Sequence, residues 1–183
     1  NVAVGPFQMN DIVAAFNEYF EIIHVDSPEL LRDVFRLRYQ VLCIEQRAPG
    51  FEASNYPLGL ESDDYDRHSS HILLRHRLSG EFVGTARLIL PDPLNPEKLF
   101  PTEQHTRLDS ALLDGNKLPR QNTGEISRLF VVRRFKQRRG ELPHACKNET
   151  DSGIPIPIKR RRFPHPVLAL AVGIISMSIE HNI

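Results

Sequence analysis

Two short apolar runs joined by a tight polar turn place the strongest constraint on how this chain can fold. The runs cover residues 71–77 and 82–90, and the turn between them is Leu78-Ser79-Gly80-Glu81. This pattern predicts a β-hairpin. Short β-rich runs at residues 20–25 and 124–133 predict two further strands.

Helical patterns lie before, between and after these strands. Ser27-Pro28-Glu29 predicts a helix start, because a capping hydroxyl, a proline in the first turn and an early acid all suit a helix N-terminus. This helix is predicted to run to about Glu45. Three more helices are predicted: one capped by Asn10, one at about residues 103–113, and one from Pro166 to about His181. The order of elements predicts an α/β layered domain with a mixed, mostly antiparallel central sheet flanked by helices.

Length and charge are those of one globular domain. The 183 residues predict a single domain over residues 1–183, with a basic, proline-rich insertion at residues 141–166. The 23 basic and 23 acidic side chains cancel, so the net charge indicates neither nucleic-acid nor membrane binding. The last segment stops at Ile183 without a glycine cap or a following strand. We therefore expect both ends to be cut and the sheet to be completed by C-terminal residues that the sequence lacks.

The cysteines and the apolar segments indicate a cytoplasmic protein. Cys43 and Cys146 match neither a metal-binding nor a disulfide spacing, and Cys43 falls in a helical apolar pattern typical of a buried thiol. The chain opens without the basic residues of a signal peptide. Residues 167–179 are apolar but shorter than the roughly 20 residues that span a bilayer. We predict no metal and no stable membrane insertion.

An arginine lies within the apolar stripe of the second predicted helix. Leu31, Phe35, Arg38 and Leu42 are spaced by four, three and four residues and share one helix face. Arg38 either extends from the edge of the core to water or is buried with a carboxylate partner. The loop that follows supplies candidate partners, namely Glu61, Asp63, Asp64 and Asp66. Their spacing lacks the glycine and terminal glutamate of an EF-hand, so they are poor metal ligands.

Two of the predicted strands also contain charged residues. Arg87 is an isolated charge among the apolar residues of the second hairpin strand. In a regular strand, Glu125, Ser127 and Leu129 share one face and Ile126, Arg128 and Phe130 share the other, a division that a β-bulge would change. Each of these features alone is also typical of an ordinary antiparallel sheet that has one solvent-exposed face.

Together these features resemble a known family. An arginine on a helix, spaced acids in a loop, an arginine on a strand, Phe100 and Glu-x-Ser-Arg on a later strand follow the order found in acyl-homoserine-lactone synthases, whose fold is that of the GNAT acyltransferases. The stretches that match, besides Phe100, are residues 35–42, 61–66, 84–91 and 125–131. The chain is still more similar to the acyltransferases associated with the PEP-CTERM/exosortase protein-sorting system, through EISRLFV, the arginine-rich segment after it and the insertion. It departs from the lactone synthases in having no tryptophan, which argues against S-adenosylmethionine as substrate.

The resemblance implies a GNAT-like fold and N-acyl transfer from acyl carrier protein or acyl-CoA to the amine of a small acceptor, as in N-acyl amino acid synthases. Glu125 is the candidate general base, with Ser127 and Arg128 beside it, and N–H groups at a bulge near residues 129–131 would stabilise the oxyanion. The acceptor pocket would be formed by Arg38, Asp63, Asp66, Arg87 and Phe100. The donor would be bound by Val131, Arg133, Gln137, Arg138, Arg139 and Gly140. Structural ion pairs would give the same pattern of charged residues.

Residues 133–140 resemble the phosphate-binding loop of GNAT enzymes in part. Gln137-x-x-Gly140-x-Leu142 matches the first half of that loop and lacks its second glycine. Five of the seven residues from 133 to 139 are basic, as are all four from 159 to 162. We interpret this surface as a docking site for an acidic acyl carrier protein and predict no nucleic-acid partner.

Three other functions fit parts of the sequence. The first is a conventional acetyl-CoA-dependent GNAT acetyltransferase, which the partial phosphate loop and the insertion disfavour. The second is a non-catalytic domain that binds an acyl lipid. The third, nucleic-acid binding, rests only on the basic runs. A cysteine nucleophile is disfavoured because Cys43 is predicted to be buried.

Overall fold

A four-stranded antiparallel sheet forms the centre of the molecule. The computed structural model describes residues 16–106, 119–136 and 165–183. The strands lie in chain order, β1-β2-β3-β4, each antiparallel to its neighbour. They are β1 (Phe20–His24), β2 (Ser69–His76), β3 (Phe82–Ile89) and β4 (Glu125–Val131). The predicted hairpin and both further strands are confirmed.

The second predicted helix is the longest continuous helical segment of the described ranges. Helix α1 (Pro28–Tyr39) begins as expected, since the side chain of Ser27 accepts a hydrogen bond from the N–H of Leu30. It continues as a π-helix (Gln40–Glu45), in which the N–H of Gln46 bonds the carbonyl of Val41. The other helices are α2 (Pro101–His105), α3 (Arg133–Lys136) and α4 (Pro166–Glu180).

Some predicted elements lie wholly or partly outside the described residues. The first helix is described only at residues 16–19, which are helical, and its predicted cap Asn10 is outside. The helix predicted at residues 103–113 lies instead at Pro101–His105 and ends there, because Thr106 has an extended backbone; residues 107–118 are outside. Residues 141–164 of the predicted insertion are also outside.

Helices α1 and α4 pack on opposite faces of the sheet. Alternate residues of a strand point to opposite faces. On β2, His71 contacts the ring of Phe35 on α1, whereas the next residue, Ile72, reaches Gly173 on α4. Strand β3 is therefore covered on both sides, and it is buried from Val83 to its end. The side chains that β2 and β3 direct toward α1 form the floor of the site described below.

Helix α4 lies close to the sheet because glycines leave room for it. A Cβ atom added to Gly84 would lie 3.0 Å from the carbonyl oxygen of Phe130 and 3.2 Å from Cδ1 of Leu170. The buried face of α4 is apolar, with Ala169, Leu170, Ile174 and Met177 in the core. No helix in the described ranges is both long and apolar enough to cross a bilayer.

Candidate active site

Six charged side chains from four parts of the chain form a closed circle between α1 and the sheet. We call this circle the charge ring. Around it, arginines and carboxylates alternate, so that each arginine bonds two carboxylates and each carboxylate bonds two arginines. In order around the circle they are Arg38, Glu61, Arg128, Asp63, Arg87 and Asp66.

Arg38 is at the most buried point of the charge ring. Its side chain is 0% exposed, so the alternative in which it extends to water is wrong. Its Nε donates to Glu61 and its Nη1 donates to Asp66 at 2.7 Å. A buried guanidinium needs such partners because its desolvation is otherwise costly. Glu61 is equally buried, and its N–H is fixed by the carbonyl of Phe35 on α1.

The two aspartates of the charge ring hold each other in place. Asp63 caps the short 3₁₀ helix Asp64–His68 by accepting a hydrogen bond from the N–H of Tyr65 at 3.0 Å. Asp66, three residues later, accepts one from the N–H of Asp63 at 2.8 Å. This reciprocal cap fixes both carboxylates on one side of the loop. Their remaining lone pairs are thereby presented to the arginines.

Arg87 joins the loop to the sheet. Its side chain is 1% exposed, and its Nη1 lies 2.6 Å from Asp63 and 2.8 Å from Asp66. Its Nε donates to the hydroxyl of Ser127 on β4 at 2.9 Å. The isolated charge on the predicted strand therefore has two carboxylate partners and one hydroxyl partner, and Ser127 lies against the charge ring as expected.

A buried histidine adjoins Asp66. The Nε2 atom of His71 lies 3.7 Å from Asp66, and neither ring nitrogen has a hydrogen-bond partner in the part of the chain that the structure describes. Burial lowers the pKa of His71 to about 4, an effect that Arg38 and Arg87 reinforce and Asp66 opposes. His71 is therefore neutral near pH 7. It adds no charge to the three arginines and three carboxylates of the charge ring.

The ionised forms of the charge ring stabilise one another. Burial by itself would raise the pKa of Asp66, but Arg38 and Arg87 outweigh this effect, and the pKa is below its ordinary value. Burial would likewise lower the pKa of Arg38, but Glu61 and Asp66 outweigh it, and that pKa is raised. Both groups therefore remain charged at neutral pH.

A β-bulge in β4 brings Arg128 into the charge ring. Ser127 pairs with Arg87 and Phe130 pairs with Thr85, so Arg128 and Leu129 together oppose a single residue of β3. Arg128 has a left-handed backbone, with φ of 51°. Its Nη2 lies 2.9 Å from Glu61 and 3.0 Å from Asp63. The bulge therefore changes the division of side chains that a regular strand would have. It lies at residues 128–129, a range that begins one residue before the predicted range of 129–131 and overlaps it at Leu129.

The left-handed conformation predicts an unusual order of stability for substitutions at Arg128. Both Arg128→Gly and Arg128→Ala remove the ion pairs, but only alanine retains the strain of a side chain at positive φ. We expect the glycine variant to be more stable than the alanine variant by about 1 kcal/mol in urea denaturation. At exposed Ile126 on the same strand the order should be reversed, because glycine weakens ordinary strands. The same order at both positions would contradict the bulge.

Glu125 lies at the start of β4, beside α2. Its carboxylate accepts a hydrogen bond from the N–H of Thr102 at 2.9 Å, in the first turn of α2. Phe100, immediately before α2, is buried beneath the guanidinium of Arg120, with 4.1 Å between Cζ and the ring centre. Glu125 and Phe100 therefore lie together at the start of α2, while Ser127, two residues after Glu125, contacts the charge ring. Glu125 is not a member of the ring.

Two cavities open on either side of the core-facing stripe of α1. The first, of about 550 Å³, lies where β4 ends and is lined by Leu37, Gln40, Glu45, Phe82, Val132, Arg133 and Arg134. The second, of about 590 Å³, adjoins the charge ring and is lined by Leu31, Phe35, Ser62, Asp63, Asp64, Asp66 and Arg67. We call them the β4-end cavity and the acidic cavity. In the β4-end cavity, two of the three charged side chains are arginines. In the acidic cavity, three of the four charged side chains are carboxylates.

Comparison with known proteins assigns a family to this arrangement. The sequence model of the acetyltransferase (GNAT) domain matches residues 37–143, more than half of the chain and all six members of the charge ring. The chain belongs to the GNAT acetyltransferase family. No curated protein and no solved structure matches it. The expected GNAT-like α/β fold is confirmed, and membership supports N-acyltransferase activity in general, with acyl-CoA as the usual donor of GNAT enzymes.

The predicted site residues of this GNAT domain that the structure describes fall into three groups. Arg38, Asp63, Asp66, Arg87, Ser127 and Arg128 come together in or against the charge ring. Glu125 and Phe100 lie beside α2, and Val131 and Arg133 lie where β4 ends. Gln137, Arg138, Arg139 and Gly140 lie outside the described residues. Within those ranges, no group of three or more His, Cys, Asp or Glu side chains is placed to hold a metal ion.

The predicted site residues do not include Glu61, His71 or Glu45, although Glu61 is one of the candidate partners predicted for Arg38, and the structure confirms that pair. Glu61 lies in the acidic run, and only its burial separates it from Asp64, whose side chain is 83% exposed. His71 lies in a predicted strand, where every second residue points to the same face. The pattern therefore already places His71 on the same face as Leu73. Nothing in the local sequence marks Glu45, since its position depends on the π-helix.

Proposed function

We propose that this GNAT domain transfers a long-chain acyl group from acyl carrier protein or acyl-CoA to the amine of a small acceptor, such as an amino acid derivative. The observation that carries the proposal is the charge ring, which brings α1, the acidic loop, β3 and the bulge of β4 together. Such a bulge takes backbone groups out of the strand ladder at one point. Those groups are available to bond an oxyanion.

The donor is proposed to lie along β4. Arg133 and Arg134 come two and three residues after the end of the strand and suit the phosphate of a phosphopantetheine arm or an acidic carrier protein. The bulge lies two to three residues before the end of β4, which is about 10 Å, so an extended arm anchored there would reach it. Leu37, Phe82 and Val132 provide apolar surface in the β4-end cavity for the part of the arm next to the phosphate. The acyl chain would then lie beyond the bulge, at the other end of the arm.

The acceptor is proposed to enter the acidic cavity. Asp63, Asp64 and Asp66 line it, and a cationic amine is attracted to such a surface. Leu31 and Phe35 form an apolar wall that suits the non-polar part of a small acceptor. The amine would then approach the thioester from the side of the charge ring.

Acyl transfer requires a neutral amine. In the proposed step, the nitrogen lone pair attacks the thioester carbonyl carbon and a C–N bond forms. Glu125, directly or through a water, accepts the proton that the amine loses. Backbone N–H groups at the bulge stabilise the oxyanion. The tetrahedral intermediate then collapses, the C–S bond breaks, and the carrier leaves as a thiol after taking up a proton.

A panel of donors and acceptors tests this function. Purified protein would be incubated with acetyl-CoA, palmitoyl-CoA and palmitoyl-acyl carrier protein, each with a set of amino acids and simple amines, and the products identified by mass spectrometry. We expect N-palmitoyl products at rates at least tenfold above N-acetyl products. Preference for acetyl-CoA would contradict the long-chain donor while leaving N-acyl transfer in place. Stoichiometric binding without turnover would indicate a lipid-binding domain.

A further inference from the structure

A carboxylate lies in the wall of the β4-end cavity together with two arginines. Glu45 lines this cavity, and its Oε2 accepts a hydrogen bond from the backbone N–H of Arg133 at 2.8 Å. Arg134 also has a carboxylate partner, since its guanidinium lies 2.8 Å from Glu81. The positive charge at the end of β4 is therefore opposed by two acidic side chains of the protein itself.

The π-helix is the reason that Glu45 reaches this position. Gln40 and Glu45, the first and last residues of the π-helix, both line the cavity. In an α-helix, residues five apart differ in direction by about 140°, so the two side chains would point to different sides. A π-helix closes its hydrogen bonds over five residues, as Gln46 and Val41 do here, and this brings residues five apart to one side. The unusual helix thus places a negative charge in a cavity that otherwise favours anions.

We propose that Glu45 is a specificity-determining residue that opposes the phosphate of the acyl donor, so that its carboxylate sets how tightly a phosphorylated carrier is held. The inference rests on the proposed function, because it takes the β4-end cavity as the donor site. A donor phosphate beside Arg133 lies close to the negative charge of Glu45. The carboxylate then either moves away or stays and repels the phosphate. A carrier that is bound less tightly leaves more readily as the thiol after transfer. Many acyl-transfer cycles require this release step.

The substitution Glu45→Gln isolates this charge. Glutamine has the same shape, and its amide oxygen still accepts the hydrogen bond of Arg133, so the fold is retained. Glu97→Gln is the matched control: Glu97 is exposed in the turn that follows β3, at the opposite end of that strand from Phe82, which lines the cavity. Both variants gain one positive unit of net charge, but only one of them does so in the cavity.

Binding of coenzyme A and of pantetheine, measured by isothermal titration calorimetry, tests the inference without turnover. Pantetheine has the same arm without phosphate. For coenzyme A we expect Glu45→Gln to tighten binding about three- to tenfold at low salt, with a smaller gain at high salt, since one nearby charge is removed. Pantetheine binding should not change, and Glu97→Gln should bind both probes like the unsubstituted protein.

The possible results separate the inference from the function on which it rests. Equal coenzyme A affinity for Glu45→Gln and the unsubstituted protein would overturn the role of Glu45 and leave the donor site standing. An equal gain with pantetheine, or the same gain in Glu97→Gln, would also overturn it, since the effect would not be a local charge effect on phosphate. If no protein bound coenzyme A, the donor site itself would be wrong, and the inference with it.

Discussion

Replacing Arg38 with methionine is expected to lower the free energy of unfolding by about 3–5 kcal/mol, because the substitution leaves Glu61 and Asp66 buried with one partner fewer. For a domain of this size that corresponds to a fall in Tm of about 10 °C or more. Methionine preserves most of the buried volume, so the loss reports the charge and not a cavity. Thermal and urea denaturation followed by circular dichroism would measure it.

Arg36→Met is the matched control for this experiment. Arg36 lies on the same helix, two residues earlier, but its side chain is 60% exposed and its partner Asp33 is three residues away on the surface. Exposed pairs of this kind contribute about 0.5 kcal/mol or less. A similar loss in Arg36→Met and Arg38→Met would show that helix α1, and not the charge ring, is the sensitive element.

The charge ring also predicts that a second substitution compensates in part for the loss of Arg38. Arg38→Met leaves the charge ring with one net negative charge, and adding Glu61→Gln restores neutrality. We expect the double variant to be more stable than the sum of the two single losses by about 1–3 kcal/mol. Additive losses would mean that the members of the charge ring act independently and that its alternation of charge is without energetic consequence.

The elements of the fold could be predicted because their signals are local. Ser27 and Pro28 mark the start of α1 by the hydrogen-bonding needs of its first turn, and the polar turn before Glu81 marks the hairpin. The position of Arg38 on the apolar side of α1 was also predicted, since helical spacing alone fixes it. These predictions require only neighbouring residues, and the structure confirms them.

The assembly of the site could not be predicted to the same extent. Glu61 and Asp64 belong to one acidic run, and only packing against α1 makes the first a buried partner of Arg38. The bulge at Arg128 is a property of the pairing between β4 and β3, which no local pattern fixes. Of the five residues predicted for the acceptor pocket, the structure brings four together and places the fifth, Phe100, beside α2 with Glu125.

This separation of roles matters for catalysis. The arginines and acids of the charge ring bond one another, so they suit a fixed framework better than proton transfer. Within the described ranges, Glu125 has a single hydrogen bond, to a backbone N–H, and it lies two residues from Ser127, which contacts the charge ring. A carboxylate placed in this way has lone pairs left to receive a proton. That is the physical reason for assigning the base to Glu125 and not to Asp63 or Asp66.

Replacing Glu125 with glutamine is therefore expected to lower the rate of acyl transfer about 10²–10⁴-fold, which is the usual contribution of a positioned general base. The amide oxygen of glutamine still accepts the hydrogen bond of Thr102, so the Tm should stay within a few degrees of the original. The rate would be measured under single-turnover conditions with the donor and acceptor that the panel identifies, at several pH values. Because the nitrogen loses a proton at every pH as the amide forms, the loss should persist when the pH is raised above the pKa of the acceptor amine. A loss that disappears there would limit Glu125 to deprotonating the bound ammonium ion, and equal transfer by both proteins would remove it from the mechanism.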